Sequence, residues 1–298
     1  MTQEDIALVL KVVTPLYAFI ILIEIVVNFV FEKHYYKAAD TLTNTYLTLI
    51  NFGFDLLMRG LGIFVLSFFF EYHFFEITNI YVYWLALLLL EDLMFYWEHR
   101  IDHYCRLFWA VHVTHHSSDY YNITTGFRSS AFQPLYRFIY FIPLALMGFK
   151  YWDIMFMYAI TQIYGVLIHT NFVGKLGILE YFMATPSHHR VHHASNVMYL
   201  DKNMGMVLII WDKIFGTFQK EDNSKEPIKF GLVSKMEYPY KPKEVIFSEW
   251  QKIIKDLKRP IPFSTKLKYV LMPPGWSHDG SSKTSQELRE EYLQKFNK

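Results

Sequence analysis

Apolar residues are bunched along this chain rather than dispersed. Five stretches, 6–31, 44–70, 80–97, 131–149 and 152–171, are each at or near the ~20 residues a helix needs to cross a bilayer. The first is too long for the core of a cleaved signal and lacks a small-residue cleavage site, so it reads as a retained anchor. The second is interrupted by Gly53, Asp55, Arg59, Gly60 and Gly62. Asp55 and Arg59, four residues apart, can bridge on one helix face, and the span is expected to kink or to line a cavity. The last two stretches meet at Lys150 and read as a helical hairpin that enters and leaves from one side. Beyond Phe218 the pattern turns polar and proline-rich, with amphipathic helices expected near Phe247–Leu257 and Ser285–Phe296.

Loop charges give an orientation. Lys33 and Lys37 follow the first span, whereas Glu71 to Asn79, after the second, contain no Lys or Arg. The positive-inside rule then places the first connection in the cytoplasm, and the third span returns there. Composition agrees with a membrane protein: 52% of residues are hydrophobic, 19% aromatic and only 19% charged. The net charge of +1 and the absence of a basic stripe argue against a nucleic-acid partner. Cys105 is the single cysteine, so no internal disulfide can form.

Chemistry enters with the histidines. Nine of the thirteen fall in two windows: His99, His103, His112, His115 and His116 in one, and His188, His189, His192 and His193 in the other. Both windows lie at the ends of apolar stretches, and by the topology above both face the cytoplasm. On a continuing helix His99 and His103 share a face and can grip one metal, with Asp92 seven residues earlier placed to orient an imidazole. The adjacent pair His115 and His116 diverges on a helix and suits two ions better than one. The second window repeats the H-x-x-H-H pattern. His169, alone at the end of an apolar stretch, reads either as a satisfied core histidine or as a further ligand level with the windows. His34, His73 and His278 have no partners in sequence. Asn122, Thr124, Thr125 and Arg128 follow the first window, and Arg128 could pair with a lipid phosphate or sit in a salt bridge. Trp109 and Trp211 read as interfacial anchors or core.

So many imidazoles exceed what one tetrahedral zinc can use. Two metals with open positions suit dinuclear iron, for oxygen activation, or dinuclear zinc, for hydrolysis through an activated water. No nucleophile motif and few carboxylates accompany the histidines, which favours the oxygenase over a zinc-dependent membrane hydrolase; a non-enzymatic metal-binding membrane protein is the third reading. A metal mouth at the bilayer surface would let a lipid chain rise to it.

HRIDH (99–103), WAVHVTHH (109–116) and TPSHHRVHH (185–193) resemble the histidine boxes of the fatty acid hydroxylase / sterol desaturase superfamily, and Asp201-Lys202-Asn203 with WDKIFGTF (211–218) resemble the segment closing its catalytic region. HHSSDYYNITTGFRSS (115–130) and PPGW (273–276) are most similar to the ether-cleaving alkylglycerol monooxygenase branch, so the resemblance covers roughly residues 40–280. It implies a membrane non-haem di-iron oxygenase that uses O2 to hydroxylate a lipid alkyl or acyl chain, with an alkylglycerol-type ether lipid as one substrate. Sterol or fatty-acid hydroxylation or desaturation belongs to the same superfamily. The implied ligands are His99, His103, His112, His115, His116, His189, His192 and His193, with His169 a further one and His188 an added candidate. Asp92, Asn122 and Arg128 are the expected supporting residues. The reductant is external, either tetrahydrobiopterin or an electron-transfer protein, and the substrate comes from the bilayer. Tyr104 follows the first box where that branch carries an acidic residue.

The expected fold is an all-α integral membrane protein of about four transmembrane helices, plus or including the hairpin. It divides into N-terminal transmembrane helices (1–97), a histidine-box region (98–218) with the hairpin at 131–171, and a polar cytoplasmic C-terminal cap (219–298).

Overall fold

Helices account for the regular structure of the described residues, 3–224 and 226–296 of this computed structural model; no named strand occurs among them, and two isolated β-bridges tie loops together. Three helices are long and apolar enough to cross a membrane: α1 (Gln3–Val30), α2 (Ala38–Phe70) and α3 (Ile80–Tyr104). At 1.5 Å per residue, the 33 residues of α2 reach about 50 Å, well beyond a hydrocarbon core. The interrupted stretch is one unbroken helix. Asp55 and Arg59 do bridge on it, at 2.7 Å, and both line a small cavity against residues 134–158.

The hairpin has a different build from the regular pair of helices expected. Its first limb is a series of short turns: 3-10 segments Gln133–Leu135 and Arg137–Phe141, then a single α-turn, α6 (Ile142–Leu146). Pro134 and Pro143 open the first and last of these, and a proline inside a run removes a backbone donor and prevents one continuous helix. Only the second limb, α7 (Tyr151–Leu167), is a regular helix. The turn between them lies beside the α2–α3 connection, where Phe74 N–H donates to Leu146 O and Tyr83 OH donates to Asp153. Gly148 holds φ +94° there, and a side chain at that position would meet Phe75 O at 2.1 Å. Leu66, Leu87, Phe141, Leu144, Phe149 and Ile154 bury the contact between the hairpin and α2–α3.

At the opposite end, Cys105 adopts extended geometry (φ −125°, ψ 119°), ending α3 and turning the chain back as α4 (Arg106–His116). A short α5 (Ile123–Phe127) follows; α8 (Pro186–His192) and α9 (Ile210–Ile214) complete this layer. The C-terminal region supplies α10 (Pro242–Leu257), α11 (Phe263–Leu271) and α12 (Ser285–Phe296). The first begins earlier than the expected 247–257, and α11 was not foreseen. Buried Arg106 secures this region to α4. Its guanidinium donates to Glu249 (2.9 Å), Asp256 (2.7 Å) and Tyr269 O.

Candidate metal centre

Four elements bring nine imidazoles together. The last turns of α3 carry His99 and His103; α4 carries His112, His115 and His116; His169 follows α7; α8 and its cap residue carry His189, His192 and His193. They form two sets, within each of which one nitrogen per ring lies within 4.8 Å of the others. The first is His99, His103, His112, His116 and His192; the second is His115, His169, His189 and His193. In α4 the pair four apart, His112 and His116, faces the first set while His115 turns to the second. In α8 the sense is reversed: His189 and His193 face the second set and His192 the first. Neighbouring residues diverge by about 100° on a helix, which is why each H-x-x-H-H serves two sets. His116 and His193 stack across the boundary, with centroids 4.4 Å apart.

Acceptors fix the outer nitrogens of five of the rings. Nδ1 of His99 meets Met204 O (2.8 Å), that of His115 meets Arg128 O (3.1 Å), that of His169 meets Gly165 O (2.7 Å) and that of His192 meets Lys202 O (2.9 Å). His103 Nδ1 meets Asp201 at 3.1 Å, and His112 Nδ1 lies 3.6 Å from Asp102. A carbonyl only accepts, so each of those Nδ1 atoms carries the proton and each Nε2 presents a bare lone pair. His115 and His169 are both fixed in this way, yet their Nε2 atoms are 3.3 Å apart. Two lone pairs at that distance repel unless a cation lies between them. His169 Nε2 also meets Nε2 of His189 at 2.9 Å and of His193 at 3.1 Å. In the first set, His112 Nε2 meets Nε2 of His99 and Nε2 of His116, each at 3.1 Å, while the buried Nε2 atoms of His103 and His192 have no hydrogen-bond partner. Imidazoles around one ion at ~2.1 Å stand about 3 Å apart at right angles and somewhat farther at tetrahedral angles. The observed spacing fits a metal in each set.

Burial favours the neutral form of seven of these rings, the form in which a histidine binds metal. It pushes His115 down to about 4, and it lowers His112, His116, His169, His189, His192 and His193 well below the ordinary value, with neighbouring histidines adding to the effect.

Two cavities reach the imidazoles. One of ≈ 60 Å³, on the hairpin side, is lined by Phe95, Gly126, Gln162, Gly165, Val166 and Met206 together with five of the histidines. The other, of ≈ 390 Å³, lies under the C-terminal helices, where Trp109, Leu200, Leu232 and Leu288 surround His103, His116, His192 and His193.

The remaining expected residues take other places. His188 joins neither set; its Nδ1 contacts Met183 O and its Nε2 lies 3.9 Å from Glu180. Asp92 touches no imidazole. It accepts from the Val207 and Leu208 N–H groups and from Trp211 Nε1, fixing the loop whose Met204 carbonyl holds His99. Asn122 caps α5 and donates to Tyr35 O, with Thr125 closing the capping box and Thr124 accepting from Asn44. The Arg128 side chain is wholly buried on Asp40, Asn44, Ser117 and Thr114 O, so it cannot reach a lipid phosphate; its own carbonyl holds His115. Trp109 lies against His103 (5.1 Å) and His116 (5.6 Å). His34, His73 and His278 stay outside both sets. Asp102 and the carbonyl acceptors escaped sequence reasoning, and Asp201 entered it only through the resemblance of residues 201–203 to the segment closing the catalytic region. Of those that escaped, only Asp102, inside the first histidine box between His99 and His103, offered a signal there.

Residues 84–217, which hold every histidine of both sets, match the family model for fatty acid hydroxylase. Over that stretch the chain is similar to a fatty acid hydroxylase domain. Beyond it, the chain is 33% identical over 282 residues to alkylglycerol monooxygenase of Homo sapiens, covering 92% of this chain and 61% of that protein. It is 32% identical over 290 residues to the Danio rerio enzyme of the same name (93% and 61%) and 37% over 208 residues to that of Caenorhabditis elegans (65% and 39%). The chain thus spans about three-fifths of the first two relatives. No solved structure matches it.

Proposed function

We propose that this chain is a membrane-bound di-iron oxygenase that hydroxylates the alkyl chain of a lipid, with an alkylglycerol-type ether lipid as the substrate. The observation that carries the reading is the contact between two fixed, bare imidazole nitrogens, His115 and His169, in a set that opens into the hairpin-side cavity. Five imidazoles in the other set exceed the four of a closed zinc site, which favours iron over a zinc hydrolase. Iron bound there would supply the activation of O2.

The protein's own part is positioning. Carbonyls of Met204, Arg128, Gly165 and Lys202 set the imidazole planes, and Asp92 secures the loop behind the first of these. Phe95, Val166 and Met206 offer an apolar slot wide enough for a few methylene groups, and Gly126 and Gly165 keep it open. Hydroxylation of the ether-bearing carbon consumes O2, two electrons and two protons, giving a hemiacetal and water. The hemiacetal then divides into a fatty aldehyde and the free glycerol. The electrons come from an external reductant, tetrahydrobiopterin or an electron-transfer protein. The histidine sets lie near the start of α2, where Asp40 and Asn44 hold Arg128. That end adjoins the connection carrying Lys33 and Lys37, which supports a cytoplasmic site.

Purified protein given a labelled alkylglycerol, O2 and reductant is expected to release labelled fatty aldehyde. Hydroxylated acyl or sterol product in its place would move the substrate within the family. Oxygen-independent hydrolysis would overturn the oxygenase itself.

A further inference from the structure

The C-terminal helices were expected to form a solvated cap, yet α11 presents an apolar line outward. Phe263 is 75% exposed, Leu267 44% and Leu271 56%, one above another at four-residue spacing, while Tyr269 faces inward. Lys266 and Lys268 fall about 100° to either side of that line, the arrangement of a helix lying in an interface. Ile254 of α10 is half-exposed as well, and Phe247 is partly so. Between residues 241 and 271 the sequence has eight lysines and arginines against three acids.

The position of this surface follows from its contacts. Val245 and Ile246 of α10 pack on Leu47 of α2, and a chain of rings runs from Phe54 of α2 through Phe132 to Phe247. Over the same stretch α2 exposes Leu42, Leu49 and Phe52. The outward face of α10–α11 therefore continues the apolar wall of a helix that crosses the membrane.

We propose that α10 and α11 lie in the headgroup layer, with Phe263, Leu267 and Leu271 among the acyl chains and the flanking lysines on anionic phosphates. The proposal rests on α2 spanning the bilayer and not on the metal or the substrate. The histidine centre would then sit beneath a membrane-bound collar, with the larger cavity opening next to lipid.

Cys105 is the sole cysteine, so a Cys105→Ser background permits single labels on the full-length protein in nanodiscs. An environment-sensitive fluorophore at Leu267→Cys is expected to emit to the blue and resist iodide. Quenching by spin-labelled acyl chains should be about threefold stronger than for the same label at Gln286→Cys on polar α12. Adding phosphatidylserine to phosphatidylcholine discs should deepen the quenching, and Lys258→Glu/Lys266→Glu/Lys268→Glu should remove that increment. Water-like emission at 267 overturns the proposal. So does shielding from both quenchers, which would mean that protein covers the face, and so does indifference to the charge reversal. Because no metal or turnover is read, such a failure leaves the oxygenase reading intact.

Discussion

His188 and His189 are neighbours, both are buried, and they have different duties. Only His189 points its Nε2 into a set of bare imidazole nitrogens, whereas His188 is occupied by Met183 O and Glu180. His189→Ala is expected to abolish turnover, and His188→Ala to retain most of it while lowering the melting temperature; assays on the two proteins side by side check this. Asp92 is a second case in which role and position separate. Its carboxylate accepts three N–H donors inside the protein, and Asp92→Ala leaves all three without an acceptor. A loss of about 3 kcal/mol follows from unmade hydrogen bonds of this kind, measurable by denaturant or thermal unfolding. The same variant should hold iron less well, since the loop it releases carries the His99 acceptor.

Among the elements, the periodic ones could be read in advance and the irregular ones could not. Apolar runs and helical spacing gave α1, α2 and α3, with His99 and His103 on one face, because those features are local. The first limb of the hairpin escaped because Pro134 and Pro143 cut an apolar run whose composition still looks continuous. The acceptors behind the imidazoles escaped for another reason: Met204, Gly165, Arg128 and Lys202 act through backbone carbonyls, which leave no trace in residue type. Arg128 stood open between a lipid phosphate and a salt bridge, and its burial on Asp40 makes it a strut. Two predictions belong at this scale. Gly165→Ala places a methyl 2.2 Å from Met206 Sδ on the helix that leads to His169. It should cut turnover at least tenfold through loss of the slot while the protein still folds, a comparison made by kinetics and circular dichroism. Arg106→Ala removes the donor that Glu249 and Asp256 share. It should cost about 3 kcal/mol and open the segment after α10 to protease before the helical core unfolds.

At the scale of the whole molecule, both histidine sets lie at one end of the long helices. Long helices set the depth, the hairpin fills the space beside α2 and α3, and the chain turns at Cys105 to lay two histidine boxes across the end of the bundle. Crossing of the H-x-x-H-H motifs of α4 and α8 then makes two sets where one cluster of nine would have been crowded. The direct test is the metal content of the purified protein. Two irons per chain are expected in the wild type and one in either His115→Ala or His192→Ala, since each alters a different set. A single ion, stoichiometric zinc, or two irons retained in both variants would contradict the account.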